Sequence, residues 1–505
     1  MEQDNDSSLA LDTVKSSVIQ LLSKVLHRAM GIFSMLILAR LLTPADFGVV
    51  ATCTLIAFFL NSIVALGSQQ YIVMLSHVSD DDLNTAWTIN LLTKSLMFVA
   101  LILLAPYLLS YLDKPEVRFP LYALAAVFPL SALGTPGMWL YIRDLNYRPS
   151  FLVQLLSKIV ATTVTIFLAF SLRSYWALIV GTMVSYMLPS ILSYRYSTYR
   201  PKLCLAGARK QFDFSKWMLI NGIVGFSRAE ADTIIATKTF SIESLGIYSM
   251  FRNIASILSV QVMQPALDPL LSTFSQANRG PEGLKPHHVN ATLLAAGVAL
   301  IPISAWILMF SNDITLLLLG SKWTEHSATL GILSLGIFPA IVQTIVSNIL
   351  ISKGGISVVS RFGILSAAFA LTVLVAVSYR GQLPEDYAKL QLLVSTLSTL
   401  VLLTICNSMF HAFRFYDLLL ITSPLLPTAI AFSTVTWLAQ TFPVKIADGL
   451  LPFIGLSCAF WITFALALVL VGLSIKKDPS VGLLKNTITQ VVIGSIRRVF
   501  RGSQR

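Results

Sequence analysis

Four basic residues stand inside long apolar stretches of this sequence: Lys24, Arg28, Arg228 and Arg252. If such a stretch crosses a bilayer, each ionised side chain costs about 2.5–3.5 kcal/mol, so it faces a polar cavity or a partner. Lys24 and Arg28 share one helical stripe with Ser17, Gln20, His27, Gly31 and Ser34, because steps of three and four residues fall on one face. Asn221, Gly225, Arg228 and Asp232 repeat that spacing with Glu230 on another face, and Ser249, Arg252, Asn253, Ser256 and Ser259 make a third polar set. The chemistry on offer is recognition of an anion. A guanidinium presents a planar fork of N–H donors to an oxyanion, and Lys24 adds a mobile point charge. The amides of Gln20, Asn221 and Asn253 suit hydroxyl-rich groups. Glu230 and Asp232 are the carboxylates available to a coupling proton or cation, with burial raising and Arg228 lowering their affinity for a proton. Plainer readings stand beside these: Arg228 pairs with Asp232 one turn on, and Lys24 snorkels to an interface. Arg28 has no acidic neighbour in its own helix. Lys94 and Lys158, nearer helix ends, read as snorkelling side chains.

The elements that position these groups follow from composition. Of 505 residues, 55% are hydrophobic and 12% charged, and the mean hydropathy is +0.75. Soluble chains carry roughly 25% charged residues, so half the usual solvating surface is missing. A helix needs about 20 apolar residues to cross a bilayer with every backbone polar group paired internally. Candidate spans are 14–41, 47–66, 92–112, 119–140, 151–170, 176–194, 217–236, 245–267, 292–319, 327–350, 362–377, 390–410, 418–438 and 450–473. The expected fold is therefore an all-α polytopic membrane protein with fourteen transmembrane helices.

Lys and Arg set the expected orientation. More than twice as many fall on one side, in loops such as 195–216 and in the basic tail, as on the other. With an even number of spans this places both termini in the cytoplasm, and it makes the net charge of +12 mainly topological. Dispersed through short loops, these charges do not suit nucleic acid. The four cysteines read as reduced fillers, and no metal-ligand spacing occurs, His287-His288 being a loop pair without Cys nearby. Met1–Asp6 is acidic and the first apolar run carries Lys24 and Arg28, so the first helix is expected to be retained. The opposite-side loops are short and carry no Ser/His/Asp constellation, which argues against a membrane glycan polymerase or acyltransferase.

A shift of 198 residues carries Arg40 onto Lys238 and Gly48 onto Gly246. Both segments close a helix, turn tightly and re-enter the membrane, and internal repeats are a transporter signature. The expected organisation is a cytoplasmic N-terminus (1–13), an N-lobe of six spans (14–194), a basic linker (195–216) and a C-lobe of six spans (217–410). Two added helices (411–474) and a basic amphipathic tail (475–505) complete it.

The segment Ala39-Arg40-Leu41-Leu42-Thr43-Pro44-Ala45-Asp46-Phe47-Gly48 after a polar first helix resembles the polysaccharide-transporter, or Wzx-type oligosaccharide flippase, family, and within it the colanic-acid-exporter branch. Leu245-Gly246-Ile247-Tyr248 echoes it in the second half, and span count and loop lengths extend the resemblance along the chain. The wider superfamily also holds multidrug exporters and the peptidoglycan-lipid flippase. The resemblance implies two six-helix lobes around a V-shaped central cavity, open to one side at a time, in a bacterial inner membrane. It implies no cofactor, a cargo of short glycan on undecaprenyl diphosphate, and a polysaccharide polymerase and chain-length regulator as partners. Arg28, Arg228 and Arg252 would then fork the diphosphate, while Gln20, Asn221 and Asn253 meet sugar hydroxyls. A multidrug exporter would need an acidic cavity, whereas the mid-span charges here are mostly basic.

Orientation has a direct test in a background with the native cysteines replaced. A cysteine at Ser174 reacts with an impermeant thiol reagent from outside, and one at Gly207 or Ser480 reacts only after permeabilisation. The reverse labelling pattern refutes the assignment.

Overall fold

The computed structural model describes residues 2–64, 67–257, 263, 267–281, 283–377, 382–410, 415–441, 450–474 and 479–483. Among them 11 helices are long and apolar enough to cross a bilayer, or 12 if the bent pair Pro115–Ala132 and Gly137–Arg143 counts as one span. The fourteen expected are therefore not all found on this criterion. The expected spans not counted are those on α10 (Ala208–Thr239), which carries many of the polar residues singled out above, and on α11 (Ile242–Ser256), of which 15 residues are described. The amphipathic tail expected over 475–505 lies outside the described residues except for 479–483.

The bent pair turns by 69° where Gly134 and Pro136 interrupt the helix. Pro136 has no N–H to give, and the amides freed around it find side-chain acceptors. Thr135 N–H donates to Ser193 Oγ at 3.0 Å, and Gly137 N–H to Thr135 Oγ1 at 3.2 Å.

Two compact units divide the chain, Met1–Ser249 and Met250–Arg505. In the first, α1 (Glu2–Leu41) packs on α8 (Arg148–Leu172), α8 on α9 (Trp176–Tyr196), and α10 on α2 (Pro44–Val64). Helix α4 (Asp80–Leu112) begins in a capping box, Ser79 Oγ accepting from Asp82 N–H at 3.2 Å and Asp82 Oδ2 from Ser79 N–H at 3.0 Å. The basic linker is docked rather than loose. Lys202 N–H donates to Asn84 Oδ1 at 2.8 Å and Cys204 N–H to Thr88 Oγ1 at 3.0 Å, so the buried polar face of α4 is satisfied by linker backbone.

The short segment that carries the resemblance is a capping device. Thr43 caps α2, its Oγ1 accepting from Asp46 N–H at 3.3 Å, and Asp46 Oδ2 accepts from Thr43 N–H at 2.9 Å. Pro44 takes the first helical position, where its missing N–H is no loss. The other Asp46 oxygen accepts from Tyr175 N–H at 2.9 Å, pinning the start of α9. In the second copy Ser241 Oγ accepts from Ser244 N–H at 3.1 Å. The two copies meet. A methyl on Gly48 would collide with the carbonyl oxygen of Ile242, and one on Gly246 with that of Pro44. Under the 198-residue shift Pro44 is the counterpart of Ile242, so each contact is the image of the other: a local pseudo-two-fold.

The C-terminal end of α4 braces the same junction. Lys114 Nζ, nearly buried at 3% exposure, donates to Phe240 O at 2.8 Å. Burial lowers its pKa below the ordinary lysine value against the opposing pull of Glu116 and Asp113. Lys238 pairs with Asp113 at 3.1 Å, caps the Tyr111 carbonyl and lies over the Tyr111 ring.

The second unit is built on α13 (Pro286–Met309), α15 (Ala328–Leu335), α16 (Ile337–Ser352) and α18 (Pro384–Phe410), closing on Leu293, Ile345, Ile349 and Leu402. Reciprocal hydroxyls lock α13 to α15, Ser304 Oγ donating to Ser334 O at 2.9 Å and Ser334 Oγ to Ser304 O at 3.1 Å. The four cysteines are free, Cys53 and Cys406 buried and Cys458 exposed.

Gly48→Ala and Gly246→Ala each place a methyl against backbone that cannot retreat, and overpacking of this kind costs about 1–3 kcal/mol. Both substitutions therefore lower the thermal midpoint of the purified protein. Gly472→Ala, with open space around its Cα, leaves it unchanged or higher. Equal midpoints for all three would remove the glycine junction from the fold's requirements.

Candidate functional site

Helix α1 carries two opposed faces. At about 100° per residue, Leu22, Val25, Ala29 and Phe33 lie on one side, and Gln20, Lys24, His27 and Gly31 on the other, with Arg28 on its flank. Leu22 is 50%, Val25 55% and Phe33 64% exposed, an uncovered apolar strip that belongs against lipid tails. The polar stripe consequently faces away from lipid. Lys24 and His27 are exposed on it, Gln20 and Arg28 half-exposed, and Gly31 has nothing within 4 Å. Lys158 is half-buried on α8, which packs against α1, an adjacency that residue spacing does not reveal.

On α10 the sequence set divides. Asp232 is buried at 8% exposure and accepts a hydrogen bond from the buried Tyr248 hydroxyl at 2.7 Å, across the hairpin to α11. Phe240 packs edge-on to the Tyr248 ring, 5.7 Å between centroids. Tyr248 was quoted only as part of a repeat echo, yet it anchors the carboxylate. Glu230 is half-exposed and Gly225 exposed. The side chains of Asn221 and Arg228 lie outside the described residues. Arg252 is half-exposed and Asn253 exposed on the last turns of α11, in the second unit.

Two further features lie in the first unit. Lys94 on α4 does not reach an interface: its Nζ donates to Ser131 Oγ at 3.0 Å inside a cavity of about 240 Å³. An apolar groove of about 520 Å³ runs between α2, α4 and α10, lined by residues such as Phe59, Leu104, Leu108 and Phe226. No cluster of three metal-ligating side chains occurs among the described residues.

The profile of a family described as "Polysaccharide biosynthesis protein" matches residues 37–328, from the end of α1 through the first spans of the second unit. The chain belongs to this family. Among curated relatives it is 25% identical over 303 residues to the succinoglycan biosynthesis transport protein ExoT of Rhizobium meliloti, covering 59% of this chain and 61% of that one. It is 20% identical over 376 residues to the lipopolysaccharide biosynthesis protein WzxC of Escherichia coli, covering 73% and 75%. The match spans less than two thirds of the length of ExoT. Among solved structures, an inward closed lipid II flippase MurJ superposes with a TM-score of 0.69 at 13% identity, over 92% of this chain and 99% of that one. An inward-facing MATE multidrug transporter superposes at 0.56 with 10% identity, over 78% and 98%. These likenesses establish the fold, a polytopic all-α membrane protein. Family and relatives are proteins of transport and polysaccharide biosynthesis, not enzymes, in line with the expectation from the short loops.

The Asp232–Tyr248 bond separates a structural carboxylate from a coupling one. An amide oxygen still accepts from the tyrosine, so if Asp232 is structural Asp232→Asn keeps both stability and activity. Asp232→Leu strands a buried hydroxyl, at about 1–3 kcal/mol, and lowers the thermal midpoint. A transport rate in Asp232→Asn that has lost its pH dependence at unchanged midpoint identifies a coupling residue instead.

Proposed function

We propose that this protein is a flippase that moves undecaprenyl-diphosphate-linked oligosaccharide across the bacterial inner membrane for surface polysaccharide synthesis, by alternating access. The observation that carries the reading is α1: a basic stripe held away from lipid by an apolar face on the same helix. Membership of a polysaccharide biosynthesis family, and relatives named for succinoglycan transport and lipopolysaccharide biosynthesis, support the cargo class.

In this reading Arg28 forks the diphosphate, Lys24 and Lys158 supply diffuse charge, and Gln20 meets sugar hydroxyls. Arg228 and Asn221 on α10, and Arg252 and Asn253 on α11, are further candidates for the anion and the sugar hydroxyls, and Glu230 is the remaining carboxylate for ion coupling. The apolar groove beside α2, α4 and α10 offers a track for the polyprenyl tail while the headgroup crosses. With both termini cytoplasmic, the junction of Gly48 and Gly246 lies at the outer face. A polymerase and chain-length regulator would take the exported units.

Loss of the protein should accumulate lipid-linked oligosaccharide on the cytoplasmic face. At equal expression Arg28→Ala should reproduce that accumulation, with export reduced at least tenfold. Arg28→Lys should recover only part of it, since it restores charge without the fork. Wild-type export in Arg28→Ala would sink the site assignment, and no accumulation on loss of the protein would sink the cargo.

A further inference from the structure

The cavity around Lys94 belongs to no part of the reading above. Helices α2, α4 and α9 and the broken segment α6 (Val127–Ala132) enclose it. Lys94 lies about 21 Å along α4 from Asp80 at 1.5 Å per residue, well inside a helix of 33 residues. Its ammonium donates to Ser131 Oγ, whose own O–H donates to Phe128 O at 2.9 Å. No acidic side chain lines the cavity, and Lys94 has no ion pair among the described residues.

The hydroxyls of Thr54 and Thr182 are engaged with their own helices, donating to Val50 O and Leu178 O at 2.8 Å each. Three donors remain on the cavity wall: the free N–H bonds of Lys94, the Asn61 amide and the Tyr186 hydroxyl. The last two make no hydrogen bond among the described residues. Asn61 is exposed and Tyr186 41% exposed, so the desolvated donor is the Lys94 ammonium, and a charge without an ion pair in an apolar wall favours a negative partner.

We propose that this cavity is a binding site for a small inorganic anion of the halide class, held by Lys94 with Asn61 and Tyr186. Size and charge select the class. A volume of about 240 Å³ lies below the usual range for drug-sized ligands and suits a small ion. A single ammonium balances a single charge, so a divalent phosphate would stay uncompensated. The rest of the wall is apolar, with Ala57, Phe58, Leu124, Val127 and Phe128, and a weakly hydrated ion loses least on entering it. The site is distinct from the basic stripe of α1, and its occupancy is readable without any transport assay.

The experiment uses the purified full-length protein, with sodium gluconate replaced stepwise by sodium chloride or bromide at constant ionic strength. The thermal midpoint should rise saturably with either halide. Lys94→Gln should abolish the response and Lys94→Arg should retain it. Tyr186→Phe and Asn61→Ala should each raise the half-saturating concentration about fivefold, the effect of one lost hydrogen bond. Absence of a saturable response in the wild type, or the same response in Lys94→Gln, overturns the proposal. If Lys94→Gln does not fold, unchanged half-saturation in both Tyr186→Phe and Asn61→Ala overturns it equally. Inorganic phosphate stabilising more strongly than chloride at equal concentration refutes the halide class.

Discussion

The approach of two helix starts, α2 at Gly48 and α11 at Gly246, is the constraint from which the first unit follows. Each glycine lies against a carbonyl at the start of the other's helix, so no side chain can stand at either position. Backbone this close needs its polar groups satisfied locally, and the capping residues Thr43, Asp46 and Ser241 do that. Asp46 then carries the restraint on to α9 through Tyr175, and Lys114 and Lys238 carry it on to the end of α4. A handful of directional bonds fixes where four helices end. Within a membrane that matters more than usual, because apolar contact between helices competes with equally apolar lipid.

Much of this was legible in the sequence, but only as pattern. The 198-residue shift marked the two hairpins as copies, and the structure shows that the copies touch each other. Spacing of three and four residues grouped Gln20, Lys24, His27 and Arg28 on one face of α1. What spacing does not give is the environment of the opposite face, where Leu22, Val25 and Phe33 are uncovered and suit lipid. Two of the fourteen expected spans are not counted among the described residues. Helix α10 holds many polar residues, and α11 has 15 described residues, fewer than a lipid-spanning helix needs.

Lys94, Lys158 and Tyr248 mark the limit of one-dimensional reading. A lone lysine in an apolar run looks the same whether it snorkels, joins a stripe on the next helix or lines a cavity. Only its neighbours decide: for Lys94 it is Ser131, 37 residues away. Tyr248 lies 16 residues from Asp232, beyond any periodicity of a single helix, and is brought back to it by the hairpin.

The proposed cargo and the fixed charges can be joined in one energetic argument. A potential of 100 mV does about 2.3 kcal/mol of work on each charge that crosses the membrane, and a diphosphate diester carries about two, so an inside-negative potential favours export by up to roughly 4.6 kcal/mol. That figure holds only if the basic side chains stay in place. If Arg28 and a second cation travel with the headgroup, the loaded step becomes electroneutral, and the empty carrier then returns net positive charge inward, down the same potential. Both limits run the cycle in one direction. The basic stripe therefore has two uses in the proposed mechanism: it lowers the cost of bringing a diphosphate into the bilayer, and it lets the existing potential direct the cycle without a carboxylate ion site. A buried, tyrosine-bonded Asp232 fits such a mechanism, because the carboxylate is then free to be part of the scaffold.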